Sequence, residues 1–296
     1  MRHSKGSISF IYLIALLFLS VFAQLMLLHL KNDYERSFAY AQAQQQRRLN
    51  SSFMHWLLAQ QPETGEFSFT YTNPATQQEQ SIAGQHIFSD DQSFDYYSAQ
   101  VSSSNASHKL YRLGFHPSQE LQSLGRDYMF ISKYIPTGTE YLTDSSLYTS
   151  TGGFTMPAIS FLSNKAGIYL EMPSIHENGF ANNCTYLKQA ATLTYSGTAP
   201  TTKGKALIAC TKSLVLQRNF CAPDRIVLIS NESITLQDNV SLSNALIIAK
   251  GNVNIGKNCT INGVVFSNST IKFQGSGTFT HDTAVVADYV SAIFIA

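Results

Sequence analysis

Hydrophobic and polar positions divide the chain into four stretches of different rhythm. The first is a continuous apolar run, Ser7 to Leu30 (SISFIYLIALLFLSVFAQLMLLHL), with no Asp, Glu, Lys or Arg. As a helix at 1.5 Å per residue it covers about 36 Å, enough for a hydrocarbon core about 30 Å thick. Arg2, His3 and Lys5 precede it, so the positive-inside bias keeps the N-terminus cytoplasmic and exports the remainder. A cleaved secretory peptide is the rival reading, but its apolar region is shorter and ends in a small-x-small site. Here the sequence stays apolar through Ala23 to Leu27, which favours an uncleaved, single-pass span. Residues 31–61 contain neither Gly nor Pro and are rich in Ala, Gln, Arg and Leu, all helix formers. Tyr34, Phe38, Ala41, Leu49, Phe53 and Trp56-Leu57 recur at helical intervals over much of this segment. The two segments join into one predicted helix from Ser7 to about Gln60.

From Glu63 to about Lys205 the rhythm shortens. Glu66 to Thr72 alternates apolar and polar as a strand does, and Asn73-Pro74 marks a turn. Further strands are predicted at Tyr97–Val101, Leu110–Phe115, Met129–Ile135, Phe154–Leu162 and Gly167–Met172, with a short helix at Pro117–Gly125. The pattern is that of an α+β or mainly β domain.

The last ninety residues repeat. Ile229-SNES-Ile234-T-Leu236-QDN-Val240-S-Leu242 is followed by Ile248-AKGN-Val253-N-Ile255-GKN-Cys259-T-Ile261. Phe266-SNST-Ile271-K-Phe273-QGS-Gly277-T-Phe279 follows in turn. The copies are offset by 19 and then 18 residues, with a weaker fourth suggested at Val285 and Val290. Short alternating strands at this period predict a β-solenoid, in which each coil buries its apolar positions against the next. Thr and Asn outside the stack can form ladders. An antiparallel meander is the alternative, but five positions hold register through three copies.

Composition narrows the function. Charged residues are 13% of the chain, 20 basic against 19 acidic, for a net charge of +1. That leaves no broad footprint for nucleic acid. Four cysteines, Cys184, Cys210, Cys221 and Cys259, include no CxxC pair. They read as disulfides in an oxidising compartment, with three connectivities open, or as buried thiols. Asp90-Asp91 and Asp95 are a candidate calcium cluster but lack the spacing of an EF-hand loop, so a solvated turn is preferred. His86, His108, His116 and His176 form no metal-ligand spacing, and no GxSxG elbow occurs.

Gly251 to Asn258 matches GxxxxGK but ends in Asn, and its apolar residues sit on repeat positions, which argues against a nucleotide loop. Ile255 to Ile261 resembles the hexapeptide motif of left-handed β-helix acyltransferases, with His281 as the sole candidate histidine. Asp238, Asp282 and Glu232 are acids of the kind a polysaccharide-active β-helix uses, but the repeat puts them at different corners. The sequons Asn105-Ala106-Ser107 and Asn268-Ser269-Thr270 are expected by chance in so Asn- and Ser-rich a chain. No catalytic, cofactor-binding or metal site is predicted.

Lys5-Gly6, then Ser7 and an apolar helix running into an amphipathic one, resembles the class III leader and first helix of type IV pilins and pseudopilins, over about the first 60 residues. The resemblance implies a prepilin peptidase cutting after Gly6, a leader of residues 1–6, and assembly with other pilin or pseudopilin subunits from the inner membrane. Most pilins carry Glu at the fifth mature position, which here is Ile11. A buried amine without a counter-charge is costly, so the departure points to a minor subunit that inserts in, initiates or caps a type IV pilus or type II secretion filament and displays the solenoid. The expected organisation is leader 1–6, helix 7–62, β-rich domain 63–205 and solenoid 206–296. The alternative is a membrane-anchored surface adhesin or carbohydrate-binding protein, its ligand a glycan or another surface molecule, with an anchored polysaccharide-active β-helix enzyme ranked behind it.

Overall fold

The computed structural model describes residues 12–14, 16–38, 40, 63–72, 79–103, 106–142, 144–163, 165, 184–188, 191–193, 206–222, 225–287 and 290–295. The chain divides into two units, Met1–Gln60 and Gln61–Ala296.

The first unit is helical. Helix α1, Tyr12–Phe38, is long and apolar enough to cross a membrane, and none of its most apolar stretch is buried. Leu16, Phe18, Leu25 and Leu30 all stand in the open. Its polar end begins where His29 faces Asp33 at 3.3 Å and Lys31 faces Glu35 at 3.9 Å, one helical turn apart. Tyr34 stacks on Phe38 with ring centroids 6.2 Å apart, the i,i+4 contact expected of the amphipathic stripe.

The second unit is mainly β. It opens with an antiparallel meander, β1 (Gly65–Thr72), β2 (Glu79–Phe88), β3 (Phe94–Ser103) and β4 (Ala106–Phe115). Helix α2 (Gln119–Asp127) follows, capped by Ser118 Oγ, which accepts from the Leu121 amide at 3.3 Å. Glu120 in its first turn and Arg126 in its last complement the helix dipole. Two short strands come next, β5 (Phe130–Ser132) and β6 (Tyr148–Ser150). The predicted strand at Phe154–Leu162 is instead irregular chain ending in a 3₁₀ turn, Ile159–Leu162. Pro157 sits in its middle and can give no ladder hydrogen bond. The predicted strand at Gly167–Met172 lies outside the described residues.

The solenoid follows with three faces per coil. The broad face is made by β7 (Cys184–Lys188), β9 (Ala206–Cys210), β12 (Ile226–Ser230) and the latter parts of β14 (Ser241–Ala249) and β16 (Thr260–Ser267). The narrow face stacks β8 (Ala191–Leu193), β10 (Leu214–Leu216), β13 (Ile234–Leu236), β15 (Val253–Ile255) and β17 (Ile271–Phe273) in parallel. The third face holds β11 (Cys221–Ala222), the starts of β14 and β16, and β18 (Thr278–His281). Strands therefore begin at Cys184, ahead of residue 206 where the repeat was expected to start. The repeat register is the one the sequence predicts: Ile229 pairs with Ile248 and Ile248 with Phe266, and Leu236, Ile255 and Phe273 align.

Coil length changes along the stack. Ala206 neighbours Ile226, Ile226 neighbours Ala245, and Ala245 neighbours Gly263, so successive coils hold 20, 19 and 18 residues. All of the loss falls at the corner entering the broad face. It runs from Ala222 to Ile226 in one coil, from Leu242 to Ala245 in the next and from Ile261 to Gly263 in the last. Asn244 adopts φ 48 there. Gly263 adopts φ 154, and a Cβ at Gly263 would overlap the Ala245 carbonyl oxygen. Arg225, 7% exposed, braces the corner by donating from Nη1 to Asn244 O at 3.0 Å and from Nη2 to Val285 O.

The C-terminal end of the stack is closed out of chain order. β5 pairs in parallel with β16, β6 pairs with β5, and Thr137 bridges Lys272 on the narrow face. Residues 129–150 thus form one further coil, again with an 18-residue step from Phe130 to Tyr148, giving about six turns. Met129 and Phe130 are fully buried in the solenoid interior. The Phe130 ring meets Phe273 and Phe279 edge-on at 4.9 and 5.3 Å.

The broad face is buried on both sides. Leu228, Ile247 and Val265 fill the solenoid interior. Ile229, Ile248 and Phe266 point the other way, against Phe94 and Phe115 of the meander, Leu121 of α2 and Ile159. This is why β9 and β12 (ALIAC, IVLIS) are unbroken apolar runs rather than alternating ones. Val285 and Val290 do not start another coil. Val285 lies in helix α3 (Ala284–Ala287), and Val290 opens β19 (Val290–Ile295), which returns antiparallel to β4. The β-rich segment and the solenoid are therefore interleaved, and the expected boundary at 205/206 falls inside one compact unit.

Candidate functional site

Two surfaces stand out for function: the bare apolar helix α1 and the exterior of the solenoid unit. The corners of the solenoid are built from small polar residues in vertical register. At the corner after the narrow face, Asn219, Asn239 and Asn258 all adopt left-handed backbone (φ 64, 60 and 56), which Asn tolerates better than other side chains. Their side chains form a ladder: Asn239 Nδ2 donates to Asn219 Oδ1 at 3.0 Å, and Asn258 Nδ2 to Asn239 Oδ1 at 3.3 Å. Asn254 Nδ2 likewise donates to Thr235 Oγ1 at 3.2 Å. At the corner after the broad face, Ser132, Ser230 and Ser267 are fully buried. Their hydroxyls donate to the carbonyls of Tyr134, Lys212 and Gly251 at 2.6, 2.6 and 2.8 Å. Neutral ladders of this kind satisfy corner groups without charge, which accounts for part of the low charge content.

Five of the acids singled out in the sequence have a defined partner. Asp238 accepts from Arg218 Nη2 at 3.1 Å and from the Lys257 amide at 2.9 Å. Glu232 accepts from Ser213 Oγ at 2.9 Å, and Asp282 from the Ala284 amide at 3.0 Å. They sit at separate corners, and among the described residues no contact pairs them as acid and base. Asp91 accepts from Ser89 Oγ, Ser93 N, Ser93 Oγ and Ala158 N. Burial raises its carboxyl, but these hydrogen bonds together hold it below the usual range. Asp95 is buried, 3.8 Å from Arg112 and 3.7 Å from His116. The acidic cluster is thus a tied turn. Among the described residues no group of three or more His, Cys, Asp or Glu gathers as a metal site.

The histidines are also placed. His86 is buried and stacks on Tyr97 at 3.8 Å. Burial, with the neighbouring Asp95 charge, raises the Tyr97 hydroxyl above its ordinary value against the opposing effect of Arg112. His281 Nε2 lies 2.8 Å from the Gly125 carbonyl and ties β18 to the end of α2. His176 is outside the described residues. Gly251 to Asn258 forms corner, strand β15 and corner, with no helix following. Cys259 is buried and Cys221 half-buried, both as free thiols. Burial pushes the Cys259 thiol up. Asn268 of the second sequon is engaged at both ends, accepting from Phe154 N at 2.8 Å and donating to Phe154 O at 2.6 Å. Lys5, Gly6, Ser7 and Ile11 lie outside the described residues.

Sequence reading missed a groove on the meander. Its volume is about 960 Å³, and Ser68, Gln85, Ser98, Tyr96, Tyr111 and Lys165 line it. Tyr96 and Tyr111 stack at 6.3 Å, and Lys165 Nζ lies 5.7 Å above the Tyr96 ring. The alternating polar positions of β1 and β3 signal an exposed face, but not that Tyr96 and Lys165 meet at its edge. No family model, characterised protein or solved structure matches the chain.

Proposed function

We propose that the protein is a minor-pilin-like or pseudopilin-like subunit that initiates or caps a membrane-derived filament and displays the solenoid unit outside. The observation that carries this reading is helix α1, 27 residues long with its apolar side chains unburied. A surface of that size needs a hydrocarbon environment or apolar helices of other subunits. The polar turn from His29 onward, with its two exposed ion pairs, is where such a helix would leave the membrane. Lys5, Gly6 and Ser7 supply a junction suited to a prepilin peptidase, and Ile11 removes the carboxylate that internal shaft positions use. Export places the N-terminus in the cytoplasm and the solenoid unit outside.

The test is the mature N-terminus of protein recovered from its own cells, measured by mass spectrometry with and without a prepilin peptidase. The proposal expects a start at Ser7 that requires the peptidase. Intact Met1, or a cut near Ala23, would favour the second reading, a membrane-anchored surface binding protein without a filament. That reading draws on the Tyr96–Tyr111 groove, whose hydroxyl, amide and aromatic lining suits a polar ligand such as a glycan.

A further inference from the structure

One corner of the solenoid brings together cations that the sequence holds far apart. Ser230, Ala249, Ser267 and Ser132 are strand-to-strand neighbours, so the residues after them, Asn231, Lys250, Asn268 and Lys133, follow one another up the corner. With strands about 4.8 Å apart, Lys250 and Lys133 leave the corner two strands, or about 10 Å, apart, with Asn268 between them. Both lysines are exposed. The pair exists only because the upstream coil 129–150 closes the stack and sets Lys133 in line.

A loop forms the opposite wall. Asn268 fixes it through both hydrogen bonds to Phe154, and Glu120 Oε2 accepts from the Thr155 amide at 3.0 Å. Gly153 takes φ 110, and a Cβ at Gly152 would meet nothing within 4 Å. Between loop and corner lies a pocket of about 510 Å³ lined by Lys133, Lys250, Glu120, Gly152, Thr155 and Asn268. The ion pairs among the described residues involve neither lysine. The Lys133 ammonium lies 5.5 Å over the Tyr134 ring.

We propose that this pocket binds the carboxylate of an acidic saccharide unit. Two ammonium groups offer six donors and outnumber the one carboxylate, Glu120, whose Oε2 accepts from the Thr155 amide. The walls are hydroxyl, amide and backbone, and the Phe154 ring is buried at 8% exposure, so neither a lipid nor a stacked base is favoured. The volume falls in the range of small-ligand sites and leaves room for sugar hydroxyls beside Thr155. The sugar identity rests on the proposed display of this unit outside the cell.

The test uses the full chain in neutral detergent, titrated at low salt with tetragalacturonate, an uncharged tetrasaccharide and inorganic phosphate. Expected is binding of tetragalacturonate alone, weakened about tenfold by Lys133→Gln and again by Lys250→Gln. Lys272→Gln, on the narrow face, leaves it unchanged. Salt at about 0.5 M abolishes most of it. Unchanged unfolding midpoints in the Gln variants show that the fold is intact. Failure of the wild-type chain to bind tetragalacturonate, equal binding by the doubly substituted chain, or binding of phosphate without tetragalacturonate would overturn the proposal. The titration reads the pocket wherever the chain resides, so its failure is distinct from an unexpected mature N-terminus.

Discussion

Asn239 combines two demands at one position: a left-handed backbone and an amide that both donates and accepts along the ladder. Asn239→Ala keeps neither, and is expected to lower stability by about 1–3 kcal/mol in denaturant unfolding. Asn239→Gly restores the backbone freedom and should recover the larger part of that loss. If Ala and Gly cost the same, the left-handed corner is not what the asparagine supplies. Asp91 adds a pH dependence. Its folded-state carboxyl is held below the ordinary value, so its contribution is complete above the unfolded value, about 3.9. The contribution is lost as pH falls from there through the folded value. Asp91→Asn should flatten that acid limb of the unfolding midpoint, and an unaltered limb would show that other carboxylates govern it. The asparagines at corners were legible in the sequence because QDN and GKN recur in register. The role of Asp91 was not, since its Ala158 partner lies 67 residues along the chain.

At the scale of elements, the coil 129–150 is the keystone of the C-terminal end. Phe130 fills the last layer against Phe273 and Phe279. Phe130→Ala is expected to cost about 3–5 kcal/mol by the cavity it leaves, read as a lower denaturation midpoint for the solenoid unit. A loss under about 1 kcal/mol would mean that this coil is not part of the same cooperative core. Three repeat copies were readable because apolar residues hold the same strand positions at offsets of 19 and 18. An earlier copy, Leu214-Val215-Leu216-Gln217-Arg218-Asn219-Phe220, matches Ile234 to Val240 position by position. It escaped the 18–19-residue register because its corner is longer and the offset is 20. The donated coil was hidden for another reason: Phe130 to Ser132 precedes the repeat and carries only the short signal FIS. The Lys133–Lys250 pocket was hidden with it.

On the scale of the whole molecule, the unit Gln61–Ala296 behaves as one interleaved body rather than as beads in series. Its last strand, β19, completes the first sheet, and its middle segment completes the solenoid. Patterning alone gives the fold class and the apolar helix, because both depend on local periodicity. The interleaving depends on long-range pairing that no local period records. On the proposed reading, function at this scale rests on what the apolar surface of α1 contacts. The most direct measurement is the protein content of filaments sheared from cells that make this chain, counted by mass spectrometry against the major subunit. The account predicts the processed chain in the filament fraction at a few copies per filament. Abundant chain in the membrane with none in the sheared filaments would contradict it.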